Sequence, residues 1–145
     1  MRYLKVIVLV LLSFLEIGCI LVPAIDSVKR LGVTAGDRER LLNQEIKKFQ
    51  EVLFWGNPQE VMAFASEEAQ PSLREYLKQF GHDQRVVESK VKSIDFADDS
   101  YSANVEVGIK YYRVPFYMVN ERFENHKWKF SMAGGWKLVS LQLTP

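Results

Sequence analysis

The spacing of apolar residues changes once along this chain, near residue 85, and that change constrains the fold more than any other feature. Before it, apolar residues recur every three or four positions. Leu41, Leu42, Ile46, Phe49, Val52 and Leu53 make one face of a helix predicted over residues 38–55. Thr34 or Asp37 stands where its N-cap belongs. Gly56-Asn57-Pro58 stops it, because Pro58 cannot continue the hydrogen-bond ladder and disfavours helix at Asn57. Pro58 suits the first turn of a short second helix through Ala65, with Val61, Met62 and Phe64 inward. Ser66 is placed to cap a third helix with the face Leu73, Tyr76, Leu77 and Phe80, ended by Gly81.

After residue 85 the period is two. Val87, Ser89 and Val91 share one parity, whereas Ile94 and Phe96 have the other, so a bulge is expected near Lys92-Ser93. Asp98-Asp99-Ser100 is a turn signal. Ala103, Val105, Val107, Ile109 and Tyr111 then alternate with polar or small residues. Val114-Pro115 interrupts the pattern. A long strand is expected over 117–130, a hairpin turn at Ala133-Gly134-Gly135, and a last strand over 136–143. Sequential strands with short turns pair antiparallel. One face of such a sheet is apolar and needs cover, which the helices supply. The prediction is an α+β domain, three helices packed on a curved four-stranded antiparallel sheet to form a cone.

Composition excludes several classes. At 145 residues and 48% hydrophobic content, one domain can bury a core without disulfides or a metal. One cysteine and two histidines exclude an internal disulfide and any His/Cys-only zinc site. The net charge of +1 offers no basic surplus for a phosphate backbone, so no nucleic acid is expected. No phosphate-cradling glycine loop, nucleophile elbow or zinc-helix motif occurs, and no cofactor or metal is implied. Asp95, Asp98 and Asp99 lack the spacing of a calcium loop.

The first 25 residues are set apart. Arg2 and Lys5 precede an apolar run from Val6 to Leu15, which Glu16 interrupts and Ile17 resumes. Residues 4–25 could span the roughly 30 Å hydrocarbon core as a helix of ~20 residues. Glu16 opposes this at roughly 2.5–3.5 kcal/mol if it sits at mid-bilayer. Ile17-Gly18-Cys19 offers a second interpretation, a lipoprotein signal with Cys19 lipidated, although Glu16 stands where leucine is usual. Val22-Pro23-Ala24 offers a third, a cleaved secretory signal. All three place the domain in a bacterial cell envelope. It would be anchored in the inner membrane and face the periplasm or exterior, or sit on the outer membrane if lipidated. The expected organisation is 1–25 anchor or signal, 26–37 linker and 38–145 domain. Residues 26–145 hold 17 Lys+Arg and 17 Asp+Glu, so no net field steers a charged partner.

The helical half, followed by "VESKVKSIDF", "YSANVEVGIKYYRVPFYMV", "HKWKF" and "GGWKLVS", resembles the NTF2-like (cystatin-like α+β cone) superfamily over residues 38–143. Trp128, the Gly134-Gly135 turn and Trp136-Lys137-Leu138 carry the strongest local likeness. The resemblance implies the cone fold and several functions: enzymes of isomerase, cyclase and dehydratase types, ligand carriers, and domains that only dimerise or assemble. Fold alone does not choose among them.

An enzyme on this fold needs an acid or base inside the cone. On the third strand Glu124 and His126 share a parity with Trp128 and could act as orienter and base. Asn120, Arg122, Glu124 and His126 are four polar positions in succession on that parity, which favours a solvated segment over a site. Tyr111, Tyr112, Phe116, Tyr117 and Trp128 concentrate aromatics around Pro115, as a ligand lip or an interface would. His82 follows a helix end and fits a surface loop. The expectation is a non-enzymatic, membrane-tethered domain for protein binding or assembly, with a partner or a second copy on its sheet. The alternative is an enzyme or carrier with an apolar small molecule in the cone.

Overall fold

The computed structural model describes residues 29–79 and 83–144. The expected membrane or signal segment, Cys19 and His82 lie outside these residues. Among the described residues no helix is long and apolar enough to cross a membrane.

Helix α1 is Ala35–Trp55 and begins three residues before the expected start. Thr34 is its cap, and its Oγ1 accepts from the Asp37 N–H at 3.2 Å. Leu42, Ile46 and Phe49 are buried, as the three- and four-residue spacing requires. Helix α2 is Pro58–Val61, and it continues as a 3₁₀ turn over Met62–Phe64. Asn57 caps α2 by accepting from the Gln59 N–H at 3.0 Å. Helix α3 is Gln70–Gln79. Ser66 is not its side-chain cap: the Ser66 carbonyl accepts from the N–H of Ala69 and Gln70. The Ser66 N–H donates to the Leu138 carbonyl at 2.8 Å, which ties the helical layer to the last strand.

The strands are β1 Gln84–Phe96, β2 Ser102–Arg113, β3 Phe116–Ser131 and β4 Gly135–Thr144. They form one antiparallel sheet in the order β1-β2-β3-β4. The register of β1 on β2 shifts between Val91 and Ser93, where the parity change predicts it. It also shifts between Val86 and Glu88. This second bulge separates Val87 from the face it was expected to share with Ser89 and Val91: Val87 is exposed, while Val86, Ser89 and Val91 are half-buried. Further shifts lie between Tyr111 and Arg113, and between Lys127 and Trp128. Each bulge bends its strand and adds twist, which curves the sheet around the helices. At the β3–β4 turn Gly135 has φ +66°, a region that only glycine enters freely.

The core has an aromatic end. Phe130 lies 5.4 Å from Trp136, Phe96 lies 6.3 Å from Trp136, and Phe49 meets Trp128 edge-on at 5.6 Å. Arg38 is buried there with no ion pair among the described residues. Its guanidinium donates to the carbonyls of Gly32, Val33, Asp99 and Ser100 at 3.0–3.2 Å and covers the Tyr101 ring at 4.3 Å. The Trp136 indole N–H donates to the Arg38 carbonyl at 2.8 Å. This one arginine holds the connector, the β1–β2 turn and the sheet together.

Candidate functional site

Two features attract a functional interpretation: a polar cluster inside the cone, and an apolar arm outside it. Both are built from β3.

Arg122, Glu124, His126, Trp128 and Phe130 follow one another on the inner face of β3. The expectation that this polar run is solvated holds at Asn120, which is exposed, and fails from Arg122 inward. Glu124 is 0% exposed and His126 1%. They face inward because β3 keeps its alternation unbroken from Phe130 back to Arg122, and the helices close over it. Val107 and Leu143 flank Glu124, and Val105 and Leu141 flank His126. Phe49 meets the His126 ring edge-on at 5.6 Å.

A carboxylate in such a place must be satisfied by donors. Glu124 Oε1 accepts from the Tyr76 hydroxyl at 2.5 Å and from Arg122 Nε at 2.7 Å. Glu124 Oε2 accepts from His126 Nε2 at 3.0 Å. An ionised carboxylate only accepts, so Nε2 carries the proton. Arg122 Nη2 donates in turn to the Tyr76 hydroxyl at 3.1 Å, and the guanidinium lies 4.9 Å from the Tyr111 ring. Burial pushes the Glu124 pKa up, but His126, Arg122 and the Tyr76 hydroxyl outweigh it and hold the carboxyl below its ordinary range. Burial, with the neighbouring Glu124 charge, holds the Tyr76 phenol well above its usual pKa, so it stays a donor.

This arrangement is an imidazole oriented by an immobilised carboxylate. It lacks access. Near-zero exposure leaves no water-sized opening at Glu124 or His126. His126 Nδ1 and Trp128 Nε1 are buried without a hydrogen-bond partner among the described residues. Sequence reasoning put Arg122 on the correct parity and missed its role, and it took Tyr76 as an ordinary apolar-face residue. Tyr76 left a usable signal: a hydroxyl on an otherwise apolar helix face needs a partner when it is buried.

The aromatic group of the sequence divides. Trp128 is fully buried and belongs to the core, which corrects its assignment to a lip or interface. Tyr111 is half-buried against Arg122 on the inner side. Tyr112 stacks on Tyr117, with ring centroids 5.5 Å apart. Phe116 and Tyr117 are exposed, together with Met118 and Val119. They sit on an arm where β2 and β3 run on beyond β4, joined at Val114-Pro115 by a cis peptide bond. Pairing of β3 with β4 stops at Phe123 opposite Thr144.

The outer face of the sheet is different in kind. Glu88, Lys90, Lys92, Lys110 and Glu121 line a shallow depression of about 260 Å³ over Gly108. Lys110 pairs with Glu88 at 2.7 Å and Lys92 with Glu121 at 3.6 Å. These are exposed pairs, each worth little. They also keep this face wet.

No protein-family model matches the chain, and no curated protein does. Solved structures match its fold. A Nostoc punctiforme protein of unknown function with a cystatin-like fold aligns with a TM-score of 0.53 at 13% identity, over 76% of this chain and 91% of that one. This domain has the NTF2-like cone fold. Two further structures align with the NTF2-like domain. One is a putative scytalone dehydratase from Novosphingobium aromaticivorans, with a TM-score of 0.53 at 15% identity over 74% of this chain and 84% of that one. The other is a Catenulispora acidiphila protein in complex with S-DNPA, with a TM-score of 0.55 at 10% identity over 72% and 90%. Identities this low establish the fold of the NTF2-like domain and leave its function to its own residues.

Proposed function

We propose that this is a non-enzymatic protein of the bacterial cell envelope. The segment 1–25 tethers it to a membrane, and the NTF2-like domain serves protein binding or assembly through the arm of β2 and β3. The observation that carries this proposal is the apolar run 116–119, which lies in solvent on a strand edge that no described residue covers. Contiguous exposed apolar surface of this kind marks interaction sites in soluble domains. The burial of Glu124 and His126 supports the same reading, since neither side chain is exposed to a ligand.

A photo-crosslinking amino acid placed in cells at Tyr117 or Met118 tests the proposal. Discrete protein adducts are expected there, and none from Glu106 on the outer face. An arm that yields no adduct overturns it.

A second reading, an enzyme or carrier for an apolar small molecule, is favoured by one observation. His126 Nδ1 and Trp128 Nε1, two residues apart, have no hydrogen-bond partner among the described residues. It needs the interior to open. In a His82→Gln background, diethyl pyrocarbonate should modify His126 only on unfolding. Rapid modification of the folded protein would favour the second reading over the first.

A further inference from the structure

The connector ahead of α1 is a fixture of the domain and not a loose linker. The Gly32 N–H donates to the Lys29 carbonyl at 3.4 Å and closes a turn. Arg40 donates to the same carbonyl at 3.1 Å, and Arg38 donates to the carbonyls of Gly32 and Val33 at 3.0 Å. Gly32 has φ +66°, and a Cβ there would lie 2.6 Å from Cζ of Phe130, so a glycine is needed to seat the backbone on that ring. The clamped connector forms one wall of a cleft of about 330 Å³, with Arg30 and Leu31 on it. Glu45 and Lys48 of α1 form another wall, and Met132 lines the cleft from the β3–β4 turn. Leu31 and Met132 are each 53% exposed. Glu45 is the one carboxylate among the lining residues, and it pairs with Lys48 at 3.4 Å. Arg30 forms no ion pair among the described residues, so the rim keeps its positive charge.

Resting on the proposed membrane tether, we infer that this end of the domain docks on the bilayer surface, with Leu31 and Met132 in the headgroup layer and Arg30 on its phosphate groups. Chain length sets the distance. With the tether ending at Ile25, only Asp26, Ser27 and Val28 separate it from Lys29. A chain extends by at most ~3.3–3.6 Å per residue, so the steps from Ile25 to Lys29 span no more than about 14 Å. The headgroup layer on one side of a bilayer is itself roughly 5–8 Å deep. The cleft therefore lies at the lipid surface. The clamp sets the orientation, because the hydrogen bonds of Arg38 and Arg40 and the contact of Gly32 with Phe130 leave the connector no freedom to swing the domain away. Apolar side chains beside a free cation suit an interface where hydrocarbon and phosphate lie a few ångströms apart. Arg also pairs with phosphate through two parallel N–H donors. The arm at 116–119 stands at the opposite end of β3, up to about 45 Å away at ~3.3 Å per residue. Docking at the cleft thus directs the arm away from the membrane, toward a partner.

The experiment uses the full chain in membranes isolated from cells that express it, with a photo-crosslinking amino acid at Met132 or at Tyr117. Mass spectrometry should find the mass of a phospholipid added at position 132 and not at position 117. Arg30→Glu/Leu31→Asp changes two exposed positions and puts negative charge into the headgroup layer. It should lower the lipid adduct at 132 at least about threefold, with the thermal midpoint unchanged and the chain still resistant to carbonate extraction. A chain that resists carbonate and yields no lipid adduct at 132 overturns the docking and leaves the tether standing. An adduct from 132 to residues 1–25 of the same chain also overturns it, since the anchor and not the bilayer would then occupy the cleft. Equal lipid adducts at 132 and 117, or an adduct at 132 that the double substitution leaves unchanged, would mean passing contact and overturn it as well. A chain that carbonate releases overturns the docking together with the tether.

Discussion

Residues 122–130 of β3 bury a guanidinium, a carboxylate and an imidazole, whereas residues 116–119 of the same strand leave two aromatics, a methionine and a valine in water. The charged half is inside and the apolar half is outside. What separates them is the neighbourhood each half meets. The inner half lies under α1 and α3 and beside β4, and Tyr76, which lies 48 positions earlier than Glu124, completes its hydrogen bonds. The outer half runs past the end of β4, and among the described residues it meets β2, where Arg113 pairs with Phe116 and Tyr112 stacks on Tyr117. Burial in this strand therefore follows available partners more closely than hydrophobicity.

The largest expected effect comes from removing the acceptor at the centre of the buried cluster. Glu124→Ala leaves Arg122, His126 and Tyr76 buried around a missing anion, and breaking a buried charge pair costs about 3–5 kcal/mol. Urea unfolding measures this directly. A loss below about 1 kcal/mol, the level of an ordinary substitution, would mean that the inner half is no more committed than the arm.

Acid should unfold the protein partly through the same residue. The Glu124 pKa is held below its ordinary range in the folded state. Its contribution to stability is therefore complete above the unfolded carboxyl value, about 4.3, and is lost as pH falls through the folded value. Stability followed from pH 7 downward should drop less steeply in Glu124→Gln than in the parent. Parallel curves would remove the electrostatic half of the comparison.

Smaller effects sharpen it. Tyr76→Phe deletes one of three donors to the carboxylate and should cost about 1.5 kcal/mol, the low end for a hydrogen bond to a charged group. Phe116→Ser and Met118→Ser should shift the stability of the isolated chain by no more than about 0.5 kcal/mol, since neither side chain touches the core. A loss above about 1 kcal/mol in chemical unfolding would show that the arm packs on its own chain and that the contrast between the halves is false.

Much of the fold was legible. The change of period marked the border between helices and strands, Gly56-Asn57-Pro58 separated α1 from α2, and a parity change located the bulge at Val91–Ser93. The bulge at Val87 was not legible, because two adjacent valines satisfy either parity. Of the candidate site, Glu124 and His126 were paired correctly by parity and misplaced by polarity. Trp128 was grouped with aromatics that lie elsewhere, because nearness in sequence does not give the face. Arg38 gave no sign of its burial. It lies at a helix start, and its acceptors are backbone carbonyls, which have no sequence signature.

The sequence by itself determined the order of the elements, their turns and the parity of each strand, because these follow from local periodicity and from what proline and glycine do to the backbone. Only the tertiary structure decided which side of each parity is dry, since alternation makes two faces and does not say which one a helix will cover. It decided that a glutamate could be buried, by bringing a tyrosine from α3 to it. It also left Phe116, Tyr117, Met118 and Val119 in water, because among the described residues no helix or fourth strand packs on them, and an apolar side chain is buried only where a surface comes to meet it.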